Sequence, residues 1–287
     1  KQQKSNKMKP FVFSFLISVF FIFDVYCQDT TSKIDEKKPI FGLGVHRGYF
    51  AVDGDIEGGG FGAGIRFQIP VNTIFSLRAN TLVNTATGIS YQPWHHSSVG
   101  NGGLIETVYE PYKNNQEGWF PSYNFLQVTI EMEGIFSIMK TITKVLDSKF
   151  DFFDLYILGS YGFSAKQTKV DLLDQNGLPY TNLITRTGFN PGKVNTKSGR
   201  NEIKKNLMSI YDNDYETEIK YKGISTYSYG AGLLFNVHKR VALGLEQKII
   251  VYPGVDYIDG IRFRTSFDQT LNSDKAIYTN LFIIVKI

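Results

Sequence analysis

The chain has a single cysteine, Cys27, among its 287 residues, so no disulfide framework holds it together. Its stability must come from hydrogen-bond ladders and packing. No apolar run reaches the roughly 20 residues that a membrane-crossing helix needs. With a mean hydropathy of −0.16, a helical membrane protein is excluded. A formal net charge of +4 gives no footprint for nucleic acid, and none is expected as a partner. Phosphate-loop, dinucleotide-binding and zinc-ligand spacings are all missing. Gly58 to Gly64 is glycine-rich, but it leads into a strand-like run and not into the helix that cradling a phosphate requires. No cofactor and no metal are expected.

What is present begins at the N-terminus. Lys1, Lys4, Lys7 and Lys9 precede the apolar run Phe11 to Phe23, and Asp24-Val-Tyr-Cys27 follows it. A basic segment, a short apolar core and modest residues after it describe a secretory signal peptide over residues 1–27, with Met8 as a natural start. Cleavage is expected after Cys27. A lipid-modified Cys27 is disfavoured because Asp24 and Tyr26 stand where small and leucine-like residues belong. Residues 28–38 read as a polar lead-in, and 39–287 as one domain.

That domain is built from alternation. Tyr227 to Tyr252 sets Tyr227, Tyr229, Ala231, Leu233 and Phe235 on one face and Ser228, Gly230, Gly232 and Asn236 on the other. After a polar turn at Asn236 to Arg240, Val241, Leu243, Leu245, Ile249 and Val251 oppose Gly244, Glu246 and Lys248. A period of two is the signature of a strand with one apolar face. The same pattern runs through Phe41–Tyr49, Gly58–Ile69, Phe75–Val83, Tyr123–Ile138, Phe153–Ala165 and Ile277–Ile287, which makes eight strands with the hairpin of Lys220–Phe235 and Val241–Tyr252.

A soluble sandwich shares that alternation; the connections separate the two cases. Links at Pro70–Ile74, Met139–Lys149 and Asn236–Arg240 are short, whereas Ile89–Ser122, Val170–Ile219 and Pro253–Ala276 are long. Only the brief first link, Asp53–Glu57, breaks the order. Membrane barrels sort their links this way, with short periplasmic turns and long extracellular loops. Most segments also reach the 9–11 residues of a tilted spanning strand. The expectation is all-β: an eight-stranded antiparallel transmembrane β-barrel with long extracellular loops.

On this architecture Phe41 to Ile287 resembles the small eight-stranded outer-membrane proteins of the OmpA transmembrane domain, OmpX and OmpW types. The resemblance implies a Gram-negative outer membrane, lipopolysaccharide and outer-membrane lipid as surroundings, and the barrel-assembly machinery as a partner. Two departures stand out. The family ends on an aromatic residue, and here Ile287 is last. Arg47 falls on the lipid-facing side of the first strand, where a charge at the midplane costs roughly 2–4 kcal/mol. A bulge at Gly48, or a place near the interface, is the expected remedy.

Facing inward, the pattern puts His46, Arg66, Arg78, Glu131, Glu133, Asp154, Glu246 and Lys248 in the lumen. Eight strands leave room for side chains and little else, so these charges are expected to pair as a plug. Adjacent His95 and His96 read as solvated loop residues. A nucleophile with Ser97, His96 and Glu106 has nothing to fix its geometry. Tyr91, Trp94, Tyr109, Tyr112, Trp119, Phe120, Tyr123, Tyr221, Tyr252 and Tyr257 are expected as an outer aromatic girdle, with loop packing the alternative. Asn176-Gly177 predicts a hairpin that carries the fifth strand outward as a ribbon. Asn190 to Lys205 reads as a mobile basic tip, with Lys193, Lys197, Arg200, Lys204 and Lys205 available to an anionic surface. The functional expectation is a structural or surface-interaction protein, with a protein or glycan partner at the loops and no enzymatic role. A narrow channel for ions or small solutes is the alternative; a lipid A-modifying enzyme or a secretion component ranks lower.

Overall fold

The computed structural model describes residues 41–54, 56–96, 108–115, 117–146, 152–255, 258–260 and 273–287, and the side chains of all of these but 220–222. The signal-peptide and lead-in segments lie outside the described residues.

Eight strands close on themselves in chain order: β1 Gly42–Asp53, β2 Gly58–Pro70, β3 Phe75–Ile89, β4 Ser122–Ser137, β5 Phe153–Val170, β6 Thr217–His238, β7 Val241–Val251 and β8 Lys275–Lys286. Every neighbouring pair is antiparallel, and β8 pairs with β1, so no edge is left open. One hydrogen-bonded row runs Gly42, Gln68, Arg78, Glu133, Ser160, Ser228, Ile250 and Ala276, and arrives at Val52. The return is ten positions along β1 from the start, which is the shear of the barrel. Eight strands with that stagger tilt by about 40° and leave an interior that side chains fill.

Burial alternates residue by residue along each wall. On β4, Phe125, Gln127, Thr129, Glu131, Glu133 and Ile135 are buried, while Leu126, Val128, Ile130 and Met132 are exposed. The exposed set continues around the wall through Val45, Ile65, Val83, Ile157, Leu243 and Ile283. A soluble monomer does not expose a continuous apolar surface of this extent; a barrel in lipid does.

Four strands run further than apolar alternation suggested, with β1 reaching Asp53 instead of Tyr49. β3 continues to Ile89 through outward Thr85 and Thr87, and β5 and β6 stay paired as far as Val170 and Thr217. The extensions of β3, β5 and β6 are polar on the outside, so a criterion that counts apolar residues ends too early. The short connections define the lower end. At the first, Asn72 Oδ1 accepts from the amides of Ile74 (2.8 Å) and Phe75 (2.7 Å). The second carries a helix, α1 (Ile138–Val145), capped by Ser137 Oγ accepting from the Lys140 amide at 3.0 Å. The third is tighter than expected: β6 runs to His238, with a register shift after Asn236, and β7 resumes at Val241.

The expected bulge beside Arg47 is not there. The register of Arg47 with Ala63 and Leu281 is continuous through Gly48, so β1 has no bulge there. The side chain is exposed and lies 5.8 Å from the Phe61 ring. It is the middle one of the outward residues Leu43, Val45, Arg47, Tyr49 and Ala51 of β1.

Candidate functional site

The barrel interior is layered, and β4 shows the order. From the lower end its inward residues are Ile135, Glu133, Glu131, Thr129, Gln127 and Phe125. At the bottom, Ile135, Tyr156, Leu158, Phe282 and Ile284 form an apolar floor. Glycines make room for its large rings. A Cβ at Gly244 would collide with Phe282, and one at Gly232 with Tyr156, so both interior glycines complete the packing of this floor.

Above the floor lie three cations and three carboxylates. Arg78 pairs through Nε with Glu133 and through Nη2 with Glu246 at 2.6 Å. Lys248 pairs with Glu131, and with Glu133 at 3.0 Å. Arg66 lies 3.5 Å from Glu246, covers the Phe282 ring at 4.4 Å and donates to Asn280 Oδ1 at 3.0 Å. All six side chains are buried, and their formal charges cancel. Buried charges persist only in such paired, hydrogen-bonded sets.

Neutral groups complete the net. Asn80 donates to Glu131 (2.7 Å) and Glu133 (3.3 Å), which leaves its Oδ1 facing His46 Nε2 at 2.9 Å. Tyr156 donates to Glu246 at 2.7 Å, and Ser160 to Glu131 at 2.9 Å. Sequence reasoning named none of these three neutral partners as site residues. Their signal was inward parity on a strand, which all three carry: Asn80 in step with Arg78, and Tyr156 and Ser160 in step with Asp154.

His46 therefore joins the network, through Asn80. Asp154 does not. It sits at the lower mouth, accepting from Ser137 Oγ at 2.5 Å and lying 3.7 Å from Lys140 on α1. Its face of the strand is the same as that of the other charges, but its height is different. The space between Arg78, Tyr156 and Phe282 near that mouth amounts to about 20 Å³, enough for one water molecule.

Over the upper end the long connections fold into a cap. Tyr109, Tyr112, Trp119, Phe120, Tyr123 and Tyr252 are all buried there, so these rings are loop packing and not an outer girdle. Tyr91 and Trp94 pack against the same cluster, while Tyr221 and Tyr257 fall outside the described side chains. Trp119 stacks between Tyr109 (5.1 Å) and Tyr112 (4.8 Å). Each phenol finds a carbonyl: Tyr109 donates to Gly260, Tyr112 to Leu172 and Tyr211 to Phe120, at 2.5–2.8 Å. Burial pushes all three hydroxyls above their ordinary range, which keeps them protonated as donors.

The basic stretch Asn190 to Lys205 is folded, contrary to its expected mobility. After a short helix, α2 (Leu183–Thr187), the chain forms α3 (Pro191–Val194) and α4 (Lys197–Met208). Thr196 caps α4 by accepting from the Gly199 amide at 3.1 Å. Ile203 and Leu207, four residues apart on one face, bury themselves in the cap. Arg200 and Lys204 lie over the Tyr91 ring at 5.5 and 5.4 Å, Lys193 pairs with Glu202 at 2.9 Å, and Lys197 and Lys205 stay exposed. Asn176-Gly177 forms its turn, with Gly177 at φ +74°, but only the single bridge Leu173 to Pro179 follows and no ribbon extends. Asp171, just past β5, accepts from the Tyr180 hydroxyl (2.9 Å) and the Asn213 amide (3.0 Å). Burial raises its pKa to about 6; the Tyr180 bond opposes this and Asp212 adds to it.

His96 lies 3.8 Å from Glu110, and Ser97, Ser98 and Glu106 lie outside the described residues. Among the described residues no group of His, Cys, Asp or Glu is arranged to hold a metal.

No family model matches the chain, and no curated protein does. Several solved structures are similar in outline. Ail, the attachment invasion locus protein of Yersinia pestis, in complex with the heparin analogue sucrose octasulfate, is 10% identical with a TM-score of 0.39, over 87% of this chain and 99% of that one. Neisserial surface protein A is 10% identical at 0.40, over 86% and 97%. A major outer membrane protein of Thermus thermophilus is 10% identical at 0.39, over 87% and 100%. The barrel assignment rests on the closed ladder and not on these likenesses.

Proposed function

We propose that the protein is an integral outer-membrane barrel with a structural or surface-interaction role and a closed lumen. One observation carries this: a charge-neutral, hydrogen-bonded layer fills the interior between an apolar floor and an aromatic cap. Transport needs a wet path, and a site for chemistry needs a reachable group; the residues that could supply either are paired with one another here. The eight residues named from the sequence act as a plug, with His46 attached through Asn80 and Asp154 closing the lower mouth.

What faces outward at the top is the cap. Its exposed Lys197 and Lys205, beside Arg200 and Lys204 over Tyr91, offer cations to anionic lipopolysaccharide or to an acidic glycan or protein partner. Assembly in that membrane requires the barrel-assembly machinery. The channel reading and the plug reading part company in a planar bilayer. Purified protein, folded into lipid, is expected to give no unitary conductance; discrete ion currents that vanish on heat unfolding would overturn the closed lumen.

A further inference from the structure

Arg47 is a cation in the middle of an apolar wall, and the wall around it is not uniform. Its guanidinium has no hydrogen bond or ion pair to any described residue, only the Phe61 ring nearby. Asp53, at the top of the same strand, is six residues on, which is about 15 Å of height in a strand tilted by about 40°. That is further than an arginine side chain reaches, so Arg47 does not pair with the acid at the end of its own strand.

Among the described residues, the only outward amide at this level is two strands away. Gln247 pairs with Thr279, and Thr279 with Tyr49. Rows climb ten residues over eight strands, or about two and a half over two, so the residue level with Gln247 on β1 is Arg47. The two flank β8 at equal height, with Thr279 and Leu281 between them. Apolar residues lie above and below: Leu245 and Ile249 around Gln247, Val45 and Tyr49 around Arg47. On the opposite wall the same level is held by Met132, Tyr161 and Tyr229.

We propose that the outward face of β7, β8 and β1 is the seam of a two-fold homodimer within the membrane, with Arg47 of each copy donating to the Gln247 side-chain oxygen of the other. A two-fold axis along the membrane normal at β8 sets the left flank of one copy against the right flank of its twin. The donor then meets the acceptor twice, at one depth, with the two Thr279 residues near the axis. A second copy fits better than an unrelated partner because this chain already carries both halves of the contact in mirrored places. In lipid neither group has water to turn to, so pairing replaces an unsatisfied cation with a bonded one.

This rests on the membrane reading, and the experiment separates the two. The full chain, as Cys27→Ser with Thr279→Cys, is folded into phospholipid vesicles and exposed to a short bis-maleimide. Folding is read from heat-modifiable migration in the gel. A cross-linked dimer is expected, with none from Ile157→Cys on the far wall. Adding Arg47→Leu or, separately, Gln247→Leu is expected to lower the dimer yield about tenfold while the barrel stays folded. A folded, vesicle-bound protein that never cross-links, or that cross-links equally well in both Leu variants, overturns the seam alone. A chain that stays in buffer and fails to enter vesicles overturns the membrane reading, and the seam with it.

Discussion

The barrel interior and the cap are two cores in one chain, held by opposite means. The interior keeps its charges paired and takes its precision from the ladder, where register places Arg78 against Glu133 and Lys248 against Glu131. The cap is aromatic and aliphatic, and its order comes from packing and from phenols bonded to carbonyls. Removing one member of the first core strands a partner in a dry site, whereas removing one member of the second leaves a hole. The expected penalties differ in kind as well as in size.

The largest effect should follow from breaking the charged layer. Lys248→Met leaves Glu131 and Glu133 side by side without their shared cation, and is expected to cost about 3–5 kcal/mol. Urea unfolding of the barrel in vesicles reads this; a loss under about 1 kcal/mol would mean the layer is wetter than its burial implies. A smaller and more local effect is expected in the cap. Leu207→Ala removes a buried side chain from α4 and should cost about 2–4 kcal/mol. Limited proteolysis should then cut the connection between β5 and β6 while the barrel's heat-modifiable migration is retained. If barrel and cap melt together, the two cores are one cooperative unit.

The smallest effect is a pH dependence confined to the cap. Asp171 titrates near 6 when folded and near 3.8 unfolded, so between those values the folded chain holds a proton that the unfolded chain releases. Cap stability is therefore greatest below about 3.8 as far as this group is concerned, and falls as pH rises to about 6. Protease resistance of the β5–β6 connection, followed from about pH 4 to about pH 7, should decline over that window. Asp171→Asn should flatten the decline, and an unchanged slope would assign it to other groups.

The strands, their order and the parity of their links were legible because period two and turn residues are local properties. Which charges meet was less so. Asp154 and Glu133 share inward parity, yet shear and strand position put one at the mouth and the other in the middle. Height in a tilted barrel depends on the register of all eight strands. The cap was hardest to see. Asn190 to Lys205 has a composition that suits a mobile tip, and the apolar residues that bury α4 are few: Ile203 within the stretch and Leu207 just beyond it. Buried and lipid-facing aromatics look the same in sequence, so Tyr109 and Tyr112 gave no sign of which they were.

The alternation of sign along β7 has a consequence for closure. A strand that slips by one residue turns its inward side chains to lipid, and parity forbids it. A slip of two keeps the faces correct and is the error that a smooth, apolar wall invites. On β7 the inward residues Glu246 and Lys248 stand two apart with opposite charge. Moving the strand by that step would bring Glu246 to the place of Lys248, an acid against Glu131 and Glu133. The penultimate strand is thus notched like a key, and turns only in the register that lets β8 meet β1.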